Sequence, residues 1–115
     1  MRVSEMAAKI SAEVLVKAEP EKEIKGGYIT DLLSVAMAEA GADQVWVTLQ
    51  GHQNIVAVAV LVELAAVVIA GGIKPDNETI EKAKKEGVNL LSTELPIFEV
   101  AGRLYTEGLR GYTNA

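Results

Sequence analysis

Ile55-Val56-Ala57-Val58-Ala59-Val60-Leu61-Val62-Glu63-Leu64-Ala65-Ala66-Val67-Val68-Ile69-Ala70-Gly71-Gly72-Ile73 is the segment on which the fold turns. It runs for 19 residues with one charge, Glu63, near its middle. By length it almost spans a bilayer. A central glutamate, a terminal glycine pair and no adjacent basic anchor except Lys74 argue against a membrane helix. Two buried elements explain it better, a helix over 55–62 and then a strand over 66–70. The first part is ambiguous by pattern alone. Val56, Val58, Val60 and Val62 alternate as in a strand, yet Ala57, Ala59 and Leu61 between them are apolar too. Connectivity favours the helix. A strand ending near Gln50 and another starting near Ala65 need a crossover if they run parallel. A helix apolar on all sides must be covered on all sides, and this motivates an expectation of self-association.

Working outward, Gln44 to Leu49 reads as a strand with Val45, Val47 and Leu49 on one face. Upstream, Thr30 or Asp31 is expected to cap a helix whose apolar stripe is Leu32, Leu33, Ala36, Met37 and Ala40, closed by Gly41. Ile24 to Ile29 is a strand, weakened or bulged by Gly26-Gly27. Glu13 to Lys17 is another, and Ser4 is expected to cap a short helix over Glu5 to Ile10. Downstream, Asp76 is expected to cap a helix that turns Ile80 and Ala83 inward and stops at Gly87. Val88 to Leu91 is the last strand. A final helix near Pro96 carries the stripe Ile97, Phe98, Ala101, Leu104 and Tyr105, and Gly108 closes it. The second half thus alternates strand and helix, which predicts parallel strands between helical layers. The two closely spaced strands of the first half are expected to add an antiparallel edge. One domain over 1–110 and a frayed tail over 111–115 complete this reading.

Composition narrows the function. Half of the 115 residues are apolar but only 4% are aromatic, so small and β-branched side chains build the core. Lys and Arg number 11 against 16 Asp and Glu, a net charge of −5, and nucleic acid is not the expected partner. The chain has no cysteine, which removes disulfides, thiolate metal sites and cysteine nucleophiles, and which fits a cytoplasmic setting. The N-terminus, Met1-Arg2-Val3-Ser4-Glu5, does not read as a signal peptide.

Ligands of such sheets favour the loops beyond the carboxyl ends of the strands. Three loops qualify: Gln50 to Asn54, Gly71 to Lys74, and Ser92 to Glu94. From them His52, Gln53, Gly71, Gly72, Lys74, Ser92 and Thr93 are the candidate ligand-binding residues. Glycines let a backbone approach an anion, and Lys74 adds a positive charge, as a phosphate or nucleotide would need. The glycine spacing matches neither a P-loop nor a dinucleotide fingerprint. His52, the single histidine, could act as a general base, but it has neither a metal-ligand spacing nor a nucleophile elbow beside it. No catalytic residue, metal or cofactor is expected.

Three stretches in this order resemble a known family. Gly27-Tyr28-Ile29-Thr30-Asp31-Leu32-Leu33-Ser34 is similar to the Gly-Tyr-x-Ser-Asp-Leu-Leu-Ser segment of DRTGG domains. Gly71-Gly72-Ile73-Lys74-Pro75, with Asp76 and Glu78, resembles their Thr-Gly-Gly-x-x-Pro turn and following helix. Val88 to Thr93 resembles their short strand ending in Ser-Thr. The chain departs where His52-Gln53 stands in place of Asp-Arg and Ala70 in place of Thr. The resemblance implies a three-layer α/β/α fold with a mostly parallel sheet of about five strands, like the N-terminal domain of HPr kinase/phosphorylase. It implies a non-catalytic regulatory or interaction module, a homodimer or other homo-oligomer, and the three-loop edge with Lys74 adds a small phosphorylated ligand or nucleotide as candidate effector. A monomeric metabolite sensor and a small enzyme using His52 are the alternatives.

Overall fold

A computed structural model describes residues 1–111. Five strands form one sheet: β1 (Ala12–Val16), β2 (Gly26–Ile29), β3 (Gln44–Thr48), β4 (Ala66–Ile69) and β5 (Leu90–Thr93). Five helices accompany them: α1 (Val3–Lys9), α2 (Leu33–Glu39), α3 (Asn54–Val62), α4 (Asn77–Glu86) and α5 (Ile97–Thr106). The strand order is β1-β5-β4-β3-β2. β2 to β5 are parallel, and β1 alone runs antiparallel, against β5. The expected three-layer α/β/α arrangement is therefore present. The two early strands do not pair with each other; they occupy opposite edges of the sheet.

The central strands β3 and β4 are buried on both faces. Trp46, Val67, Ile69 and Leu90 pack on one side with Ala36 of α2, Val56 and Val58 of α3 and Ala83 of α4. Val45, Val47, Val68 and Leu91 pack on the other with Met6 of α1 and Val100 and Leu104 of α5. Side chains that alternate across a strand then explain why the segment reads as a continuous apolar run. The stretch 55–62 is helical, as the crossover argument required. It is not fully enclosed: Ile55, Val56, Val58 and Ala59 are buried, while Val60 and Leu61 are exposed.

Several local expectations are corrected. The first helix begins at Val3, and Glu5 accepts the Arg2 amide at 2.9 Å, so Ser4 is no cap. Gly26 and Gly27 pair in regular register with Gln44 and Val45 and form no bulge. Asp31 does not cap α2. It reaches across to β3 and accepts from the Thr48 hydroxyl at 2.9 Å and the Leu49 amide at 2.8 Å. Leu32 and Met37 face solvent. Asp76 stands at the start of α4, but it accepts through its carbonyl from Thr79 and Ile80 and not through its side chain. On α5 the buried ridge is Val100 and Leu104, while Phe98 and Tyr105 point outward. The last strand lies two residues later than expected, at Leu90–Thr93. The tail expected to fray, 111–115, lies outside the described residues except for Gly111.

Candidate functional site

β3, β4 and β5 run in the same direction, so their carboxyl ends open on one edge of the sheet. β1 runs the other way and delivers its first residues to that same edge. A cavity of about 110 Å³ sits there, lined by Ser11, Glu13, Gly72, Ile73, Lys74, Ser92, Thr93 and Glu94. Four candidates thus meet in one place: Gly72, Lys74, Ser92 and Thr93. Gly71 adjoins them at the turn. His52 and Gln53 do not line the cavity.

The glycine turn is demanded by conformation. Gly71 and Gly72 have φ of 71° and 73°, in the left-handed region. Their amides donate to the carbonyls of Leu95 at 2.8 Å and Thr93 at 3.0 Å. The turn is therefore sewn to the end of β5, and both glycine N–H groups are engaged within the chain. A Cβ on Gly72 would land on Glu94 Oε2. We expect Gly72→Ala to lower stability by roughly 1–2 kcal/mol from backbone strain. The Glu94 side chain is exposed and can move aside. Urea unfolding would show a lower midpoint at unchanged m.

The polar groups of the cavity divide by availability. The Thr93 hydroxyl donates to the Ile10 carbonyl at 2.8 Å and accepts the Leu95 amide at 3.2 Å, so it is a structural clasp. Ser11 has a φ of 51° and faces Arg103, whose guanidinium lies 3.5 Å from its hydroxyl. Lys74 faces two carboxylates, Glu13 and Glu94, across the same space. Sequence reasoning missed Ser11 and Glu13, because their place depends on a strand pairing about eighty residues distant.

The loop after β3 is organised differently. His52 Nδ1 accepts the Asn54 amide at 3.1 Å at the start of α3. The Gly51 carbonyl accepts from the Thr79 hydroxyl at 2.7 Å and the Asp76 amide at 3.2 Å. A Cβ on Gly51 would meet the Lys74 carbonyl and Pro75 at 3.2 Å. Gly51 therefore lets this loop press against the segment that carries Lys74. Elsewhere, Tyr28 donates to Glu39 at 2.6 Å, and that bond pushes its phenol above the usual tyrosine range.

The sequence profile of the DRTGG domain matches residues 5–106. The chain belongs to the DRTGG domain family. No curated protein sequence matches it. Among solved structures it is similar to the CBS and DRTGG domains of the regulatory region of Clostridium perfringens pyrophosphatase, complexed with the activator diadenosine tetraphosphate. The TM-score is 0.71 at 17% identity, over 90% of this chain and 45% of that one. This DRTGG chain thus spans about half the length of its structural counterpart, and the likeness establishes the shared fold. Among the described residues no helix is long and apolar enough to cross a membrane.

Proposed function

We propose that this DRTGG domain is a non-catalytic regulatory module that self-associates and responds to a small phosphorylated ligand or nucleotide. The observation that carries the ligand class is the cavity that holds Lys74 beside the hydroxyls of Ser11 and Ser92. A flexible ammonium group and hydroxyl donors suit phosphate oxygens. The activator in the pyrophosphatase regulatory region is a phosphorylated nucleotide, which makes that class the first to test. His52 and Gln53, on the neighbouring loop, are proposed to contact the part of the ligand beyond the phosphate. A catalytic role for His52 is disfavoured because its Nδ1 is occupied by the Asn54 amide. A cytoplasmic setting fits the absence of cysteine.

Thermal shift against inorganic pyrophosphate, mononucleotides and dinucleoside polyphosphates tests the ligand class. A ligand present at a hundred times its dissociation constant stabilises the folded state by about 2.7 kcal/mol. We expect at least one of these at millimolar concentration to raise the melting temperature by several degrees. Lys74→Ala should reduce that rise by more than half. No shift with any of them removes the ligand from this reading.

A further inference from the structure

The chain contains one phenylalanine, and it is the most exposed large apolar side chain among the described residues: Phe98 is 84% accessible, on the first turns of α5. Two turns further along the same ridge lies Tyr105, 59% accessible. Beside Tyr105, between α5 and the edge strand β2, is an apolar cavity of about 140 Å³ walled by Ile29, Val47, Ala101, Leu104 and Leu109. A dry apolar cavity of about 150 Å³ accepts a benzene ring. This cavity is therefore the size of one phenyl group, and Phe98 of its own chain does not line it.

Gly102 lies between the knob and the hole. It is exposed in mid-helix, and a Cβ built on it would touch nothing within 4 Å. Glycine there costs the helix roughly 0.5–1 kcal/mol relative to alanine. Nothing within the described chain requires it. A second helix packed close against α5 would.

We infer that α5 is the pairing surface of the self-associating module, and that its occupant is the α5 of a second copy, antiparallel about a two-fold axis near Ala101 and Gly102. An isologous interface must be complementary to itself. The ridge meets that condition. Phe98 and Tyr105 are seven residues apart, roughly 10 Å along a helix. Antiparallel pairing sets each Phe98 over the other copy's Tyr105 and the cavity beside it. Charge agrees with this direction. Glu94 and Glu99 mark the start of α5, and Arg110 lies beyond its end, stacked 3.6 Å from the Tyr105 ring centroid. Antiparallel copies bring the acidic start of one to the Arg110 of the other. Glu107 at the same end is already paired with Lys9. The cavity beside the exposed Val60 of α3 is rimmed by Glu19, Lys22, Glu63 and Glu86, a charged lining that suits no phenyl group.

This inference rests on the self-association proposed above, and sedimentation of the full chain separates the two. The unaltered chain should be dimeric at high micromolar concentration. Phe98→Asp should weaken the dimer by at least about thirty-fold, as loss of a hot spot does, with an unchanged melting profile at low concentration. Gly102→Leu should weaken it as well while holding or raising the stability of the monomer. Val60→Asp and Leu61→Asp should stay dimeric. A dimer that survives both Phe98→Asp and Gly102→Leu, or one abolished by Leu61→Asp, overturns the α5 assignment and leaves self-association standing. An unaltered chain that is monomeric at 0.5 mM, roughly the concentration where weak dimers still form, overturns both.

Discussion

Val58→Asp should leave the chain without a stable fold at 25 °C. Val58 is 3% accessible, on the face of α3 that packs with Trp46, Val67 and Ile69 of the sheet. Losing the valine removes about 1.5–3 kcal/mol of apolar burial. A carboxylate left unpaired in that layer costs several kcal/mol more, whether it stays charged or takes up a proton. Domains of this size are stable by only about 5–15 kcal/mol, so the two losses together approach the total. Trp46 makes the test direct. It is the only tryptophan, it is fully buried, and its indole donates to the Thr30 carbonyl at 2.9 Å. Its emission should shift to that of a solvated indole, and the far-ultraviolet helix signal should fall. Val60→Asp, two residues away and 45% accessible, should melt close to the unaltered chain. Equal effects of the two substitutions would mean that α3 is not seated on the sheet as described.

The second large effect is expected at Asn89, a buried amide just before β5. Its Oδ1 accepts the amides of Ala18 at 3.0 Å and Glu19 at 2.7 Å. Its Nδ2 donates to the carbonyls of Glu19 at 2.8 Å and Ala65 at 3.0 Å. One side chain thus fastens the turn after β1 to the start of β4. Truncation to alanine strands four backbone groups, each worth about 1–3 kcal/mol if it stays dry. Water reaches part of the site, so we expect a net loss of roughly 3–4 kcal/mol for Asn89→Ala. Asn89→Asp keeps the acceptor, loses both donors and should recover little. Urea denaturation measures both, and a loss below about 1 kcal/mol for Asn89→Ala would show that water replaces the amide freely.

Much of the sheet was legible in the sequence because its central strands leave no polar face. Val45, Val47 and the run from Ala66 to Ala70 have to be enclosed, and the glycines after them mark where the chain turns. The helix over 55–62 was legible only through connectivity, since its hydrophobicity fits either element. Other features were hidden for physical reasons. Ser92 and Thr93 look like loop residues, yet the strand continues through them because β1 pairs there, Ala12 against Thr93 and Glu13 against Ser92. On α5 two neighbouring ridges are both apolar, and hydropathy cannot say which one the sheet takes. The reading placed Leu104 inward correctly but set Phe98 and Tyr105 beside it, whereas the core took Val100 and left those two outside. Asp31 reads as a helix cap by position, but the Thr48 hydroxyl and Leu49 amide offer it better partners. Of the candidate cavity, the glycine turn, Lys74 and Ser92-Thr93 were legible as ends of parallel strands. Ser11 and Glu13 were not, since nothing local says which edge β1 will join.

That edge has a consequence for how the molecule is made. β1 leaves the ribosome before the other four strands of the sheet, and β5, its one strand neighbour among the described residues, leaves after them. At synthesis rates of about 5–20 residues per second, β1 waits several seconds with its hydrogen-bonding edge open. The strands between them can form a parallel core in the meantime, but β4 keeps a bare flank until β5 slots in and accepts β1 on its far side. The nascent sheet therefore closes like a clasp whose two halves are its first and last strands.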